Sequence, residues 1–135
     1  MNAIDAREEV AAKYVILIHA NPDPWGDPSA LYTPEGRALP KERHEEMDRQ
    51  FDALLEEISA SGEFVSAEAL GNPAESTLYG CGPEGHIATD GPYAETKEQL
   101  AGFFIIDCKT RERAAEIAAQ FAQPGGVIEL RPVAA

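Results

Sequence analysis

Tyr14 to Ile18, within KYVILIHA, form an unbroken apolar run rich in β-branched residues. Such a run predicts a strand that is covered on at least one face and central in its sheet. The rhythm then breaks in NPDPWGDPSALYTPEGRALP (21–40), where five prolines predict a long loop with one helical turn opened by Thr33. From 40 to 61 the apolar positions Met47, Phe51, Leu54, Leu55 and Ile58 recur at helical spacing and mark one stripe. Pro40 suits the first turn and Gly62 a left-handed stop. EFVSAEAL (63–70) predicts a strand, closed by Gly71, Asn72 and Pro73. STLYGCGPEGHIATD predicts a hairpin with its tip at Gly80 to Gly85, and QLAGFFIID a second strongly apolar strand. TRERAAEIAAQFA predicts a helix capped by Thr110, with Ala114, Ile117, Ala118 and Phe121 on one face. VIELRPV alternates as a final strand with Ile128 and Leu130 inward.

Reduced to essentials, this order is β-α-β-β-α-β with an extra hairpin. It predicts an α+β, ferredoxin-like sandwich with both helices on one face of an antiparallel sheet. Residues 1–12 read as a polar lead and 13–135 as a single domain. The strands around Ile16 and Phe104 are apolar enough to need cover on their second face too. No further segment offers it, so the expectation is a homodimer, sheet face towards sheet face, in an α/β barrel-like assembly.

Composition narrows the partners. The 135 residues suit one domain that needs no disulfide or metal to fold. A net charge of -13 disfavours nucleic acid and anionic lipid, both of which reward basic surfaces. The start, MNAIDAREEVAAK, is acidic and lacks a signal-peptide pattern, and no apolar stretch reaches membrane-span length. The expected location is the cytoplasm. Cys81 and Cys108 have no C-x-x-C spacing and fit reduced thiols. Cys108 should be buried at the end of an apolar strand, while Cys81 has no basic sequence neighbour to activate it. No zinc motif and no phosphate-cradling glycine loop is present, and no cofactor is expected.

TDGPYAETKEQLAGFFIID, followed by VIELRPV, resembles the YCII-related family and, within it, the branch with an Asp-Gly-Pro-Phe motif. Asp90, Gly91 and Pro92 match that motif, with Tyr93 in place of phenylalanine. Glu95, Thr96, Lys97, Glu98 and Gly102 continue the match, and Glu129, Arg131 and Pro132 fit a terminal Glu-x-Arg-Pro. The resemblance implies a dimerising ferredoxin-like domain with a cleft near the subunit interface. Distant members resemble lyases or isomerases of small, often ring-derived acids, with a proposed histidine–aspartate pair. Many members of the branch are encoded beside sigma factors. This chain departs from the enzymatic pattern: Phe51 aligns with the family histidine, and Gly71 and Asn72 stand where the aspartate is expected.

The candidate chemistry then rests on other residues. Asp90, Lys97 and His44 are the candidate catalytic groups; His19, Tyr93, Glu95 and Arg131 are candidate ligand contacts. Each has a plainer reading. Asp90 can cap its own turn, and Lys97 can be a solvated charge between Glu95 and Glu98. His44 and Asp48, four apart on a helix, make either an acid–base dyad or a surface ion pair. Arg131 either pairs with Glu129 or Glu95, or forks onto a carboxylate ligand. His86 should be exposed, and Trp25 should pin the proline-rich loop to the body. Three functions stay open: a small-molecule lyase or isomerase using acid–base chemistry, a non-catalytic accessory protein tied to sigma-factor regulation, and a binding module for a small acidic metabolite.

Overall fold

The computed structural model describes residues 12–21, 25, 33–93 and 98–134. Its main sheet has four strands: β1 (Ala12–Ala20), β2 (Phe64–Ala69), β5 (Gln99–Cys108) and β6 (Val127–Pro132). They lie in the order β2–β5–β1–β6, and every neighbouring pair is antiparallel. β1 and β2 are thus parallel with β5 between them, the split arrangement expected from the pattern. Strands β3 (Thr77–Gly82) and β4 (Gly85–Asp90) form a separate two-stranded sheet. Its turn is Pro83–Glu84, at the far end of the glycine-rich tip.

Among the described residues, three α-helices join these strands: α1 (Pro34–Arg37), α2 (Lys41–Ser61) and α3 (Arg111–Ala119). Their ends follow local chemistry. The Gly36 amide donates to Thr33 Oγ1 at 3.0 Å, and the Arg113 amide donates to Thr110 Oγ1 at 3.1 Å, so both threonines cap their helices. Gly62 stops α2 with φ of 83°, a conformation in which a side chain would be strained.

Both long helices cover one face of the sheet. α2 brings Leu54 and Ile58 against Tyr14, Ile16 and Ile106, and α3 adds Ala114, Ile117 and Ala118. Each such large aliphatic side chain contributes roughly 1.5–3 kcal/mol by leaving water. Phe121, just past α3, meets Phe104 and Phe51 edge-on, with ring centroids 4.6 and 5.3 Å apart. The alanines let α3 approach closely, and Ile128 and Leu130 pack inward beside it.

Alternation then decides what the opposite face carries. Because Ile16 and Ile18 point to the helices, Val15, Leu17 and His19 point away from them. Their cross-strand partners share that face: Phe103 and Ile105 from β5, and Val127, Glu129 and Arg131 from β6. Among the described residues no element covers it. Val15, Leu17, Phe103 and Ile105 stay half-exposed there, and Val127 is 47 % exposed.

Candidate functional site

β1 and β6 bring together three of the polar side chains on this open face. Leu17 is opposite Glu129, which places His19 diagonally beside that carboxylate. His19 Nε2 and Glu129 Oε1 are 3.1 Å apart. From the other side, Arg131 donates through Nε and Nη2 to Glu129 Oε2, at 3.1 and 2.6 Å. The Arg131 guanidinium first, and then His19, hold the Glu129 carboxyl below its ordinary range. As an ionised group it can only accept, so the imidazole donates through Nε2, and in its neutral tautomer Nδ1 is the acceptor nitrogen. This arrangement can take up a proton at Nδ1 while Glu129 fixes the ring and balances the charge that forms.

The Asp-Gly-Pro-Tyr corner lies at the end of β4. Asp90 is the partner of Thr77 and is exposed; its carboxylate makes no hydrogen bond among the described residues. The Gly91 amide donates to Ser76 O at 2.7 Å, and the Gly91–Pro92 peptide is cis. A Cβ on Gly91 would stand 2.8 Å from that of Ser76, so the close approach requires glycine. Tyr93 is 89 % exposed. Beneath the corner is a hollow of about 460 Å³, walled by Leu70, Leu78, Pro92, Tyr93 and Leu100. Trp25 donates from its indole to Leu70 O, on this wall, at 3.3 Å.

The other candidates do not converge on His19. His44 is half-buried on α2, in the layer covering the opposite face of the sheet. No ion pair joins it to Asp48; the pairs within this helix are Lys41–Glu45 and Arg43–Glu46. Neither the dyad nor the ion pair forms between them, because a four-residue spacing permits contact without compelling it. Lys97 and Glu95 lie outside the described residues. Arg131 takes the ion-pair role, with Glu129 as its partner. His86 and Cys81 are exposed, and Cys108 is buried. Among the described residues no cluster of histidine, cysteine and carboxylates could hold a metal ion, and no helix is long and apolar enough to cross a membrane.

A second ionic centre had no counterpart in the motif reading. Arg113 forks onto both oxygens of Glu63, at 2.8 and 3.0 Å, and also reaches Glu57 and Glu116. Ser61 Oγ donates to the same Glu63 at 2.7 Å. The Arg113 bonds lower the Glu63 pKa, and burial followed by the Glu63 charge pushes the Cys108 thiol up to about 11. This cluster ties α2, β2 and α3 together and keeps Cys108 an inert thiol. A groove of about 630 Å³ lies between α2 and the end of α3. Several of its polar side chains are already paired: Arg43 and Gln50 with Glu46, and Glu57 with Arg113. It therefore offers little unspent chemistry.

Residues 12–135 match the YCII-related domain. An uncharacterized protein of Rhizobium meliloti (strain 1021) is 37% identical over 101 residues, which is 72% of this chain and 81% of that relative. The chain belongs to the YCII-related family.

Proposed function

We propose that this member of the YCII-related family is a homodimeric small-molecule lyase or isomerase of the Asp-Gly-Pro-Phe branch, with His19 as its proton-transfer group. The observation that carries the reading is the hydrogen-bonded row His19–Glu129–Arg131 on the open face, beside the apolar Val15, Leu17 and Val127. A row of this kind serves proton transfer: the carboxylate orients the imidazole, and the guanidinium keeps the carboxylate ionised. His19 Nδ1 removes a proton from carbon beside a carbonyl, leaving an enolate. The proton returns at another carbon in an isomerisation, or a group leaves from the β position in an elimination. Two protomers packed by their sheets shield Leu17, Phe103 and Ile105 and exclude water from the same row, which strengthens its electrostatics.

The test is solvent exchange. Small 2-oxo acids and unsaturated lactones are incubated with the protein in D2O and followed by proton NMR. Wild type is expected to speed deuterium entry beside the carbonyl of at least one of them, and His19→Gln to abolish it. Exchange at the uncatalysed rate throughout, or equal rates for wild type and His19→Gln, would contradict the reading.

One observation favours a second reading, a non-catalytic accessory protein. The Asp-Gly-Pro-Tyr corner has a structural reason for its glycine, in the contact of Gly91 with Ser76, and its Asp90 carboxylate is exposed. On that reading the motif is a folding signature and the chain acts through its surfaces. Unchanged partner binding in His19→Gln, together with absent exchange, would favour it.

A further inference from the structure

The hollow beneath the Asp-Gly-Pro-Tyr corner and the His19 row share a wall. Leu100 lines the hollow, and in the β1–β5 register it stands directly opposite His19. Residues directly opposite in an antiparallel pair project to the same face, with Cβ atoms about 4.5–5.5 Å apart. The register shift between Ile18 and His19 creates this match: Ile18 faces Gly102 and His19 faces Leu100, so Ala101 is the extra residue on β5. Without the bulge, the side chain opposite His19 would be Ala101, which is 1 % exposed and offers no wall to a ligand.

The chemistry of the hollow is also specific. Leu70, Leu78, Leu100, Pro73, Pro92 and Tyr93 give it its apolar wall, Asn72, Ser76 and Gln99 add uncharged polar groups, and among its described lining residues Glu75 alone carries a charge. With no described cation to pair with an anion, the hollow suits an uncharged, apolar group. Its volume of about 460 Å³ falls within the range of small-molecule sites.

We propose that this hollow binds the apolar, uncharged part of the molecule whose proton His19 handles, so that the substrate is an apolar-bodied small carbonyl compound. The proposal rests on the reading of His19 as a proton-transfer group and adds the part of the substrate that the site selects. Leu100 is the residue that places the apolar body beside the imidazole. Tyr93, exposed at the rim, closes over a bound group.

Benzyl alcohol, a neutral compound with a compact apolar body, is the probe. It is titrated into full-length protein carrying labelled leucine methyls and labelled histidine rings. Trp25 fluorescence is read in parallel, since Trp25 is the only tryptophan and is bonded to Leu70. The expected result is saturable shifts at the Leu78 and Leu100 methyls and the His19 ring with one shared affinity, while Leu54 methyls in the core stay unmoved. Leu78→Phe, which fills the hollow, should weaken binding at least fivefold. Tyr93→Ala, at a position 89 % exposed, should weaken it about two- to threefold. No saturable shift, or equal affinity in wild type and both variants, overturns the proposal. Shifts at the leucines without any at His19 also overturn it, because the hollow and the imidazole would then not share a ligand. The two readings fail separately: if the proton-transfer reading alone fails, wild type binds benzyl alcohol as described and shows no deuterium exchange.

Discussion

His19 and Glu129 are 110 residues apart in the chain and 3.1 Å apart in space, joined across the two neighbouring strands β1 and β6. Their contact depends on the register of those strands, since a slip of one residue would send one partner to the helix-covered face. Arg131 completes the row two residues further along β6. A histidine, a carboxylate and an arginine are therefore arranged in sequence on a surface whose other neighbours are Leu17, Phe103 and Val127.

The uncovered face makes the first prediction. Leu17→Lys places a charge in the middle of it, beside Phe103 and Glu129. Wild-type protein is expected to sediment at twice the chain mass, and Leu17→Lys as a folded monomer with wild-type circular dichroism. A variant that remains dimeric would locate the contact elsewhere.

Glu63 and Arg113 govern acid stability. Two charge-assisted bonds to a part-buried carboxylate make Glu63→Gln cost about 1–3 kcal/mol in urea unfolding at pH 7. The folded Glu63 pKa is below the ordinary 4.5. Its contribution is therefore fully present above the unfolded value and is lost as pH falls through the folded one. Wild type should lose stability on acidification more steeply than Glu63→Gln, and the two curves should converge at the acid end.

The two thiols should react very differently. Cys81 is exposed, whereas Cys108 is 1 % exposed and its thiol is pushed up to about 11 by burial and by Glu63. An aromatic disulfide reagent at pH 8 is expected to titrate one thiol quickly and the second only after denaturation. Between pH 9 and 11 the unfolded thiol ionises while the folded one does not, so stability should decline over that window.

Gly91 and Asp90 separate the structural from the chemical content of the motif. Gly91→Ala forces a Cβ to within 2.8 Å of the Ser76 side chain and should cost about 1–3 kcal/mol. Asp90→Ala, at an exposed carboxylate, should cost under about 0.5 kcal/mol. Thermal unfolding of the two variants checks the order.

Most of the architecture can be read from periodicity. The stripe from Met47 to Ile58, the caps at Thr33 and Thr110, and the inward Ile128 and Leu130 all follow from local spacing and side-chain chemistry. The site is less legible, because its contacts depend on register. Alternation in VIELRPV does set Glu129 and Arg131 on one face, and alternation in KYVILIHA sets His19 opposite Ile18. What it cannot show is that β1 and β6 are neighbours with Leu17 against Glu129. The His44–Asp48 spacing illustrates the reverse: a local rule proposes a pair, yet the ion pairs within that helix are made by Lys41 and Arg43. The Arg113 cluster was hidden for the same reason as the His19 row, since Glu63 is 50 residues away along the chain.

The most direct test of the His19–Glu129–Arg131 row is the titration of the Glu129 carboxyl carbon by NMR, in wild type and in Arg131→Gln. The account predicts a wild-type midpoint clearly below that of ordinary glutamates, moving up in Arg131→Gln and, by less, in His19→Gln. An ordinary midpoint in the wild type, or one that neither substitution moves, would contradict it.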